Sequence, residues 1–232
     1  MKEIYQDGTY LRHNPTWHVE DSGWKAKKIW ELLERNGVKP ETVGEVGCGA
    51  GEILCELAKD YLQESRLYGY EITKEPLAGR KVDDTGRVSF EVRDILEDDS
   101  IHFELLMAID VIEHVEDYFG FLRKSRGKAN RYVFHIPLQM NCLQVMLPNK
   151  LIGSRLRLGH LHYFTKETAI ETLKDTGYEI IDYFYTTKSF DQSGSRGIKG
   201  DLVRSLRKLA FRWNANWCVK LFGGAALMVL AK

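Results

Sequence analysis

Three glycines within five residues separate a predicted strand from a predicted helix. Gly47, Gly49 and Gly51 follow residues 41–46, whose apolar pattern is that of a short β-strand, and precede residues 54–61, where apolar residues recur at helical spacing. Glycine permits positive φ angles and a close approach of the backbone to a ligand, and the N-terminus of the next helix directs free N–H groups to the same point. The segment therefore predicts a strand, a ligand-binding turn and a helix.

The alternation of strands and helices continues along the chain. Apolar runs predict seven strands, with helices between most of them, at residues 41–46, 66–71, 87–92, 102–110, 131–136, 179–186 and 227–231. Alternating β and α elements form a mainly parallel sheet that helices cover on both faces. We therefore predict a single domain over residues 1–232 with a doubly wound α/β fold.

Acidic residues around the turn distinguish between two classes of cofactor. A dinucleotide fingerprint has its third glycine at the sixth position, where this chain has Glu52. Glu45, at the strand end, is a poor neighbour for a pyrophosphate but suits a ligand with an amino group and a sulfonium, such as S-adenosylmethionine. Glu71 ends the next strand, at the edge where open α/β sheets bind ligands. We expect Glu71 to be mostly exposed and to accept hydrogen bonds from ribose hydroxyls.

Five segments give the sequence a resemblance to the class I S-adenosylmethionine-dependent methyltransferases, over nearly the whole chain from about residue 17. They are Val43–Gly51, Tyr70–Glu71, Arg93–Ile95, Asp110–Val115 and Gly159–Thr165. The resemblance implies a seven-stranded sheet whose last strand is antiparallel to the others, with S-adenosyl-L-methionine as cofactor. It also implies that Asp94 and Ile95 hold the adenine, and that Asp110 and Val111 border the methionine part and the transferred methyl.

These arguments define an expected cofactor site and an expected reaction. The site consists of Glu45, Gly47, Cys48, Gly49, Gly51, Glu71, Ile72, Asp94, Ile95, Asp110 and Val111. The expected reaction is methyl transfer to a small molecule, at an oxygen, nitrogen or carbon acceptor. RNA or protein methylation is the alternative reaction. A cofactor-binding partner protein that has lost catalysis is an alternative of another class.

Three histidines are candidates for the acceptor side, because an acceptor that must lose a proton needs a base and histidine titrates near neutrality. His114 lies just past the fourth predicted strand. His160 and His162 are two residues apart, so in an extended segment they face the same side. Each histidine also has a structural explanation, as a loop-bonded or loop-capping residue. Asp110 and Glu113 beside His114 give weak support for a metal, and we predict that none is bound.

Three segments depart from the alternation. Residues 1–21 are expected to form an N-terminal lid. Residues 138–160 suggest a pocket wall that is apolar below and basic at the rim, with a solvated loop as the alternative. Within residues 187–224, residues 201–222 predict one helix with the apolar stripe Val203, Leu206, Ala210, Trp213, Trp217 and Leu221. That stripe suits packing on the domain, contact with a membrane surface or lipid-like substrate, or a dimer contact.

Composition limits the partners and the compartment. The 33 basic residues cancel the 33 acidic ones, so no global field attracts a polyanion, and nucleic acid is not the expected partner. The four cysteines form no C-x-x-C pair, and the N-terminus has no apolar signal region. The longest apolar run, residues 225–231, is too short to span a bilayer. We therefore expect a cytoplasmic protein with reduced thiols, and the sequence leaves the oligomeric state open.

Overall fold

A seven-stranded sheet forms the centre of the computed structural model, which describes residues 16, 19–78, 86–188 and 197–232. The strands are β1 (Thr42–Val46), β2 (Arg66–Glu71), β3 (Val88–Val92), β4 (Phe103–Ile109), β5 (Ala129–Pro137), β6 (Ile180–Thr186) and β7 (Ala226–Ala231). Their order across the sheet is β3-β2-β1-β4-β5-β7-β6. Each strand lies within two residues of the bounds predicted from the apolar runs.

Six of these strands are parallel to one another, and β7 is antiparallel to them. β1 pairs in parallel with both β2 and β4, and the parallel set continues to β3 on one side and β5 on the other. β7 lies between β5 and β6 and pairs antiparallel with both. The predicted sheet, including its antiparallel last strand, is confirmed. The order of the strands reverses between β1 and β4, which opens a crevice at their carboxyl ends.

Helices cover both faces of the sheet. Those in the described part of the chain are α1 (Ser22–Arg35), α2 (Glu52–Asp60), α3 (Tyr118–Ser125), α4 (Cys142–Met146), α5 (Pro148–Leu158), α6 (Lys166–Asp175), α7 (Gly197–Trp213) and α8 (Ala215–Phe222). Alternate residues of β4 serve the two faces: Leu105 and Met107 join the core under α1 and α2, whereas Leu106 and Ala108 join the core under α3 and α6. Burial on both sides explains why this strand is apolar without interruption.

The single helix predicted over residues 201–222 is two helices. Asn214 separates α7 from α8, and its side chain caps α8 by accepting a hydrogen bond from the backbone N–H of Trp217 at 3.0 Å. The spacing of apolar residues alone does not show such a break, because a single residue, Asn214, separates the two helices and the apolar pattern continues across it. No helix in the described part of the chain has the length and apolar character needed to cross a bilayer.

The apolar stripe of this segment does not pack on the domain as its periodicity suggests. Leu206, Trp213 and Trp217 are 58%, 87% and 61% exposed. α8 is anchored instead by Cys218 and Val219, which are both buried. Most of the expected lid lies outside the described residues, which omit 1–15 and 17–18. Residues 189–196, before α7, also lie outside them.

Candidate active site

A cavity of about 1280 Å³ lies at the carboxyl ends of β1, β2, β4 and β5, in the crevice where the strand order reverses. The turn between β1 and α2 forms one end of it. The segments that follow β4 and α5 contribute His114 and His160 to its lining, and the first turn of α1 contributes Trp24 and Lys25. The cavity therefore joins the glycine turn to the two histidines.

The three glycines of the turn have different structural reasons to be glycine, although all have positive φ angles, of 69° at Gly47, 54° at Gly49 and 77° at Gly51. A Cβ at Gly47 would lie 2.9 Å from the side chain of Val111, and one at Gly51 would lie 2.1 Å from the ring of Phe90. A Cβ at Gly49 meets no protein atom within 4 Å. Packing thus requires glycine at two positions, whereas Gly49 presents bare backbone to the cavity.

Glu71 is held by the backbone around it. One carboxylate oxygen accepts a hydrogen bond from the N–H of Gly49 at 3.1 Å. The other accepts from the N–H of Ile72 at 2.8 Å and from the N–H and hydroxyl of Thr73, both at 3.2 Å. Glu71 is only 9% exposed, so the expectation of an exposed strand-end acid is wrong. The side chain connects the glycine turn to the end of β2.

Asp110, directly after β4, is the centre of a charged network. Its φ of 55° is the only positive value among the described non-glycine residues. One carboxylate oxygen lies 2.6 Å from Nδ1 of His135, and the other lies 2.7 Å from Nζ of Lys25. Nε2 of His135 is in turn 2.8 Å from the hydroxyl of Thr186. Burial alone would raise the pKa of Asp110, but His135 and Lys25 hold it well below its usual range.

Glu45 has the opposite electrostatic behaviour. Its side chain is 1% exposed, and Oε2 has no hydrogen-bond partner. Burial raises the pKa of Glu45 to about 8; Lys25 lowers it, and the nearby carboxylates of Glu71 and Asp110 raise it. Acidic groups thus outnumber the cation Lys25 in this part of the cavity, and a positively charged ligand is favoured there.

Glu113, His114 and His160 form a compact group in the lining of the cavity, with ligand atoms within 4.8 Å of one another. Nδ1 of His114 lies 3.2 Å from the carbonyl oxygen of Gly159, and Nδ1 of His160 lies 2.9 Å from Oε1 of Gln139. Because these oxygens only accept, each neutral ring has its proton on Nδ1 and a lone pair on Nε2. Burial raises the pKa of Glu113 well above its usual range.

Most of the predicted site residues line this cavity. They are Glu45, Gly47, Cys48, Gly49, Glu71, Ile72, Asp94, Asp110 and Val111, together with His114 and His160. Gly51 and Ile95 do not line it. Gly51 is buried beneath the turn, and Ile95 is a core residue on the side of α3.

His162 lies away from the other two histidines. Its Nε2 is 2.9 Å from the carbonyl oxygen of Val115, and its ring packs on Tyr118. Of the insertion at residues 138–160, Leu158 and His160 line the cavity. The expected apolar wall is wrong for the rest, because its apolar residues Leu143, Val145, Met146 and Leu147 are exposed on the outer surface.

Sequence reasoning missed the charged partners of Asp110. Lys25 gives no local signal, since it belongs to a helix 85 residues earlier and no pattern links the two. His135 carried a usable signal, because a histidine inside an otherwise apolar central strand needs a polar partner. In the structure, His135 lines the cavity and bonds Asp110.

A family model described as a methyltransferase domain matches residues 45–130. A sequence search of the curated proteins finds no match. Among solved structures, the chain is similar to magnesium protoporphyrin IX methyltransferase from Synechocystis PCC 6803 with bound SAH. The two share 16% identity at a TM-score of 0.61, over 100% of this chain and 99% of that one.

Two other solved structures have the same fold. A SAM-dependent methyltransferase from Archaeoglobus fulgidus has a TM-score of 0.55 at 18% identity, over 89% of this chain and 94% of that one. The plantazolicin methyltransferase BpumL, in complex with a monoazolic desmethylPZN analog and SAH, has a TM-score of 0.60 at 13% identity, over 99% and 92% of the chains. Residues 45–130 thus match a methyltransferase domain, and the chain has the fold of S-adenosylmethionine-dependent methyltransferases, as the resemblance implied. Two of these three structures contain SAH, the product that S-adenosylmethionine leaves after methyl transfer, which agrees with the expected cofactor.

The pKa of Glu45 predicts how stability depends on pH. A carboxyl group with a pKa near 4.5 when unfolded and about 8 when folded binds more protons in the folded state between these values. The free energy of unfolding should therefore fall as pH rises from 5 to 8, by about 1 kcal/mol per pH unit from this group. Urea denaturation at several pH values measures this slope.

The control for this measurement is Glu52→Gln, which changes another carboxyl group that lines the cavity. Glu45→Gln keeps the shape of the neutral side chain and should flatten the slope, leaving the share of Glu113. Glu52→Gln should leave the slope as in the wild type. Equal slopes in the wild type and in Glu45→Gln would contradict the assignment.

Proposed function

We propose that this enzyme transfers the methyl group of S-adenosylmethionine to a small molecule bound at the His114 and His160 end of the cavity. The observation that carries the proposal is the continuity of the cavity between the glycine turn and these histidines. A cofactor along the turn and an acceptor beside the histidines would share one cavity. Proximity and alignment are the main contribution that a protein makes to such a displacement.

The residues at the turn fit the cofactor in charge and shape. The unpartnered Glu45 oxygen is a suitable acceptor for the cofactor's amino group, and a cation there would favour the ionised carboxylate. Gly49 leaves room for close approach of the ligand to the backbone. Glu71 uses one oxygen for a single bond to Gly49, which leaves acceptor capacity for a ribose hydroxyl. Asp94, which lines the same cavity, is our candidate for the adenine.

The histidines supply the proton chemistry. The bound cofactor provides an electrophilic methyl carbon on a positively charged sulfur. As a lone pair of the acceptor bonds to that carbon and the carbon–sulfur bond breaks, an acceptor proton would pass to Nε2 of His114 or His160. Oε1 of Glu113 lies 3.8 Å from Nε2 of His114, so an ionised Glu113 would stabilise the resulting imidazolium.

A small acceptor is supported by the neutral charge of the chain, which gives no global attraction to a polyanion. Magnesium protoporphyrin IX is a small molecule in the name of one similar enzyme, but identity of 16% carries the fold and not the substrate. RNA or protein methylation, and a partner protein without catalysis, are therefore outcomes that the experiments below distinguish.

Labelled methyl transfer tests the proposed reaction. The purified chain is incubated with S-adenosylmethionine carrying a labelled methyl group and with pools of small metabolites, RNA or protein. We expect label in a small-molecule fraction, where mass spectrometry then identifies the product. Label confined to RNA or protein would overturn the small-molecule proposal, and cofactor binding without any transfer would support the inactive partner.

A pair of glycine substitutions tests the role of the turn. Gly49 and Gly37 have φ angles of 54° and 65°, and a Cβ at either position meets no atom within 4 Å. Alanine at either position should lower the free energy of unfolding by about 1–2 kcal/mol, because the left-handed conformation is strained. Gly37 lies between α1 and the amino end of β1, whereas the glycine turn follows the carboxyl end of that strand. Only Gly49→Ala should therefore also weaken cofactor affinity, by about tenfold. Calorimetric titration with S-adenosylmethionine measures this affinity. Equal affinities in the two variants would mean that the turn has only a structural role.

Histidine substitutions test the proton chemistry once the acceptor is known. His114→Ala and His160→Ala should keep cofactor affinity, and at least one should lower turnover by about 10²–10⁴-fold. His162→Ala is the matched control, since that ring bonds the carbonyl oxygen of Val115 and does not itself line the cavity. The wild-type rate should rise with pH and level off near neutrality.

Two results would contradict this assignment. Full turnover in both variants would mean that proximity alone drives the reaction. Loss of turnover on treatment with EDTA, restored by Mg²⁺ or Mn²⁺, would mean that the Glu113, His114 and His160 group holds a cation instead of acting as a base.

A further inference from the structure

Two helical segments outside the sheet carry most of the exposed apolar surface. Of the eighteen large apolar side chains that are exposed in the described residues, thirteen lie in residues 142–158 and 197–222. We call these two segments the helical face. Trp213 is 87% exposed and Met146 is 78% exposed, with Leu209 and Leu156 close behind. Scattered apolar residues are normal on a protein surface, but such a concentration marks an interaction site.

The two segments form one surface. α8 packs against α4 and against α7, and α5 follows α4 directly. The core anchors this layer through Cys218 and Val219 of α8. The apolar side chains on its outer side therefore belong to one layer of helices that is attached to the domain.

The charge of the helical face differs from that of the rest of the chain. Its 43 residues contain nine lysines and arginines and a single acidic residue, Asp201, whereas the whole chain has equal numbers of basic and acidic residues. Lys208 and Arg212 are exposed on α7. An apolar surface with basic residues around it is complementary to an interface that has negative headgroups above a hydrocarbon layer.

The helical face also borders the cavity. Leu158, the last residue of α5, and Arg204 of α7 both line it. The helical face and the cavity are therefore neighbours.

We propose that the helical face docks on an anionic phospholipid membrane. A second copy of the chain is a poor occupant, because symmetric contact would place the basic residues of one copy against those of the other. RNA would satisfy the basic residues, but phosphates give no reason for a tryptophan that is 87% exposed. A membrane satisfies both the charge and the apolar side chains.

Vesicle sedimentation tests the docking with protein free of cofactor, so the result does not depend on the proposed methyl transfer. The full chain should bind vesicles of equimolar phosphatidylglycerol and phosphatidylcholine, and should not bind vesicles of phosphatidylcholine alone. Binding should weaken as salt is raised, because the headgroup attraction is screened. Absence of binding to the anionic vesicles overturns the proposal.

Matched variants locate the contact. Lys208→Glu with Arg212→Glu should weaken binding to the anionic vesicles by about 25-fold or more, since each basic residue contributes roughly fivefold. Lys39→Glu with Lys59→Glu, which are exposed at other positions, makes the same charge change and should bind at least several times more tightly than the first pair. Trp213→Ala should reduce binding to the anionic vesicles. It should also reduce the blue shift of tryptophan fluorescence that addition of these vesicles causes in the wild type. Circular dichroism confirms that each variant is folded.

Three results would overturn the proposal even if the wild type sediments with vesicles. Equal losses of vesicle binding in the two charge variants would show that the vesicles attract the protein's positive charge in general and not the helical face. Conversion of a dimer into a monomer by Trp213→Ala would assign the face to a second copy. Binding of RNA that excludes vesicles would assign it to nucleic acid.

Discussion

The ion pair between Lys25 and Asp110 fixes the geometry on which the active site depends. Asp110 follows β4 with a left-handed backbone, a conformation that costs about 1–2 kcal/mol for a residue with a Cβ. Hydrogen bonds to charged groups contribute about 1.5–3 kcal/mol each, so the contacts with Lys25 and His135 are sufficient to hold it. The backbone that turns at Asp110 then carries Glu113 and His114 into the cavity. One strained residue therefore couples α1, β4 and β5 to the acceptor side.

The same pair divides the carboxyl groups of the cavity into two kinds. Asp110 is ionised because a lysine and a histidine bond it, whereas burial is the largest influence on Glu45 and Glu113 and raises their pKa values. Burial acts on all three groups, and the position of one ammonium decides which of them keeps its charge. A cationic ligand that binds beside these neutral acids would lower their pKa values and favour their ionised forms.

Features that depend on residues close together in the sequence could be predicted, whereas contacts between residues far apart in the sequence could not. The strands and the glycine turn follow from local patterns, and all seven strands and most of the expected cofactor residues lie where those patterns put them. Lys25 could not be predicted, because its role arises from a contact between α1 and the end of β4. His162 alternates with His160 in sequence, but its ring bonds the carbonyl oxygen of Val115 and does not line the cavity. The break at Asn214 was missed because a side-chain cap leaves helical periodicity nearly unchanged.

The position of β7 constrains the order in which the chain can fold. Among the described strands, β6 has β7 as its only neighbour in the sheet, and β5 pairs with β7 across almost a hundred residues, as at Phe134 and Val229. During synthesis, both strands emerge from the ribosome before the strand that joins them. Until residues 226–231 arrive, β5 has an open edge and β6 has no strand to pair with, and such edges favour aggregation. The nascent chain thus needs protection longest on the side of the sheet that carries the helical face.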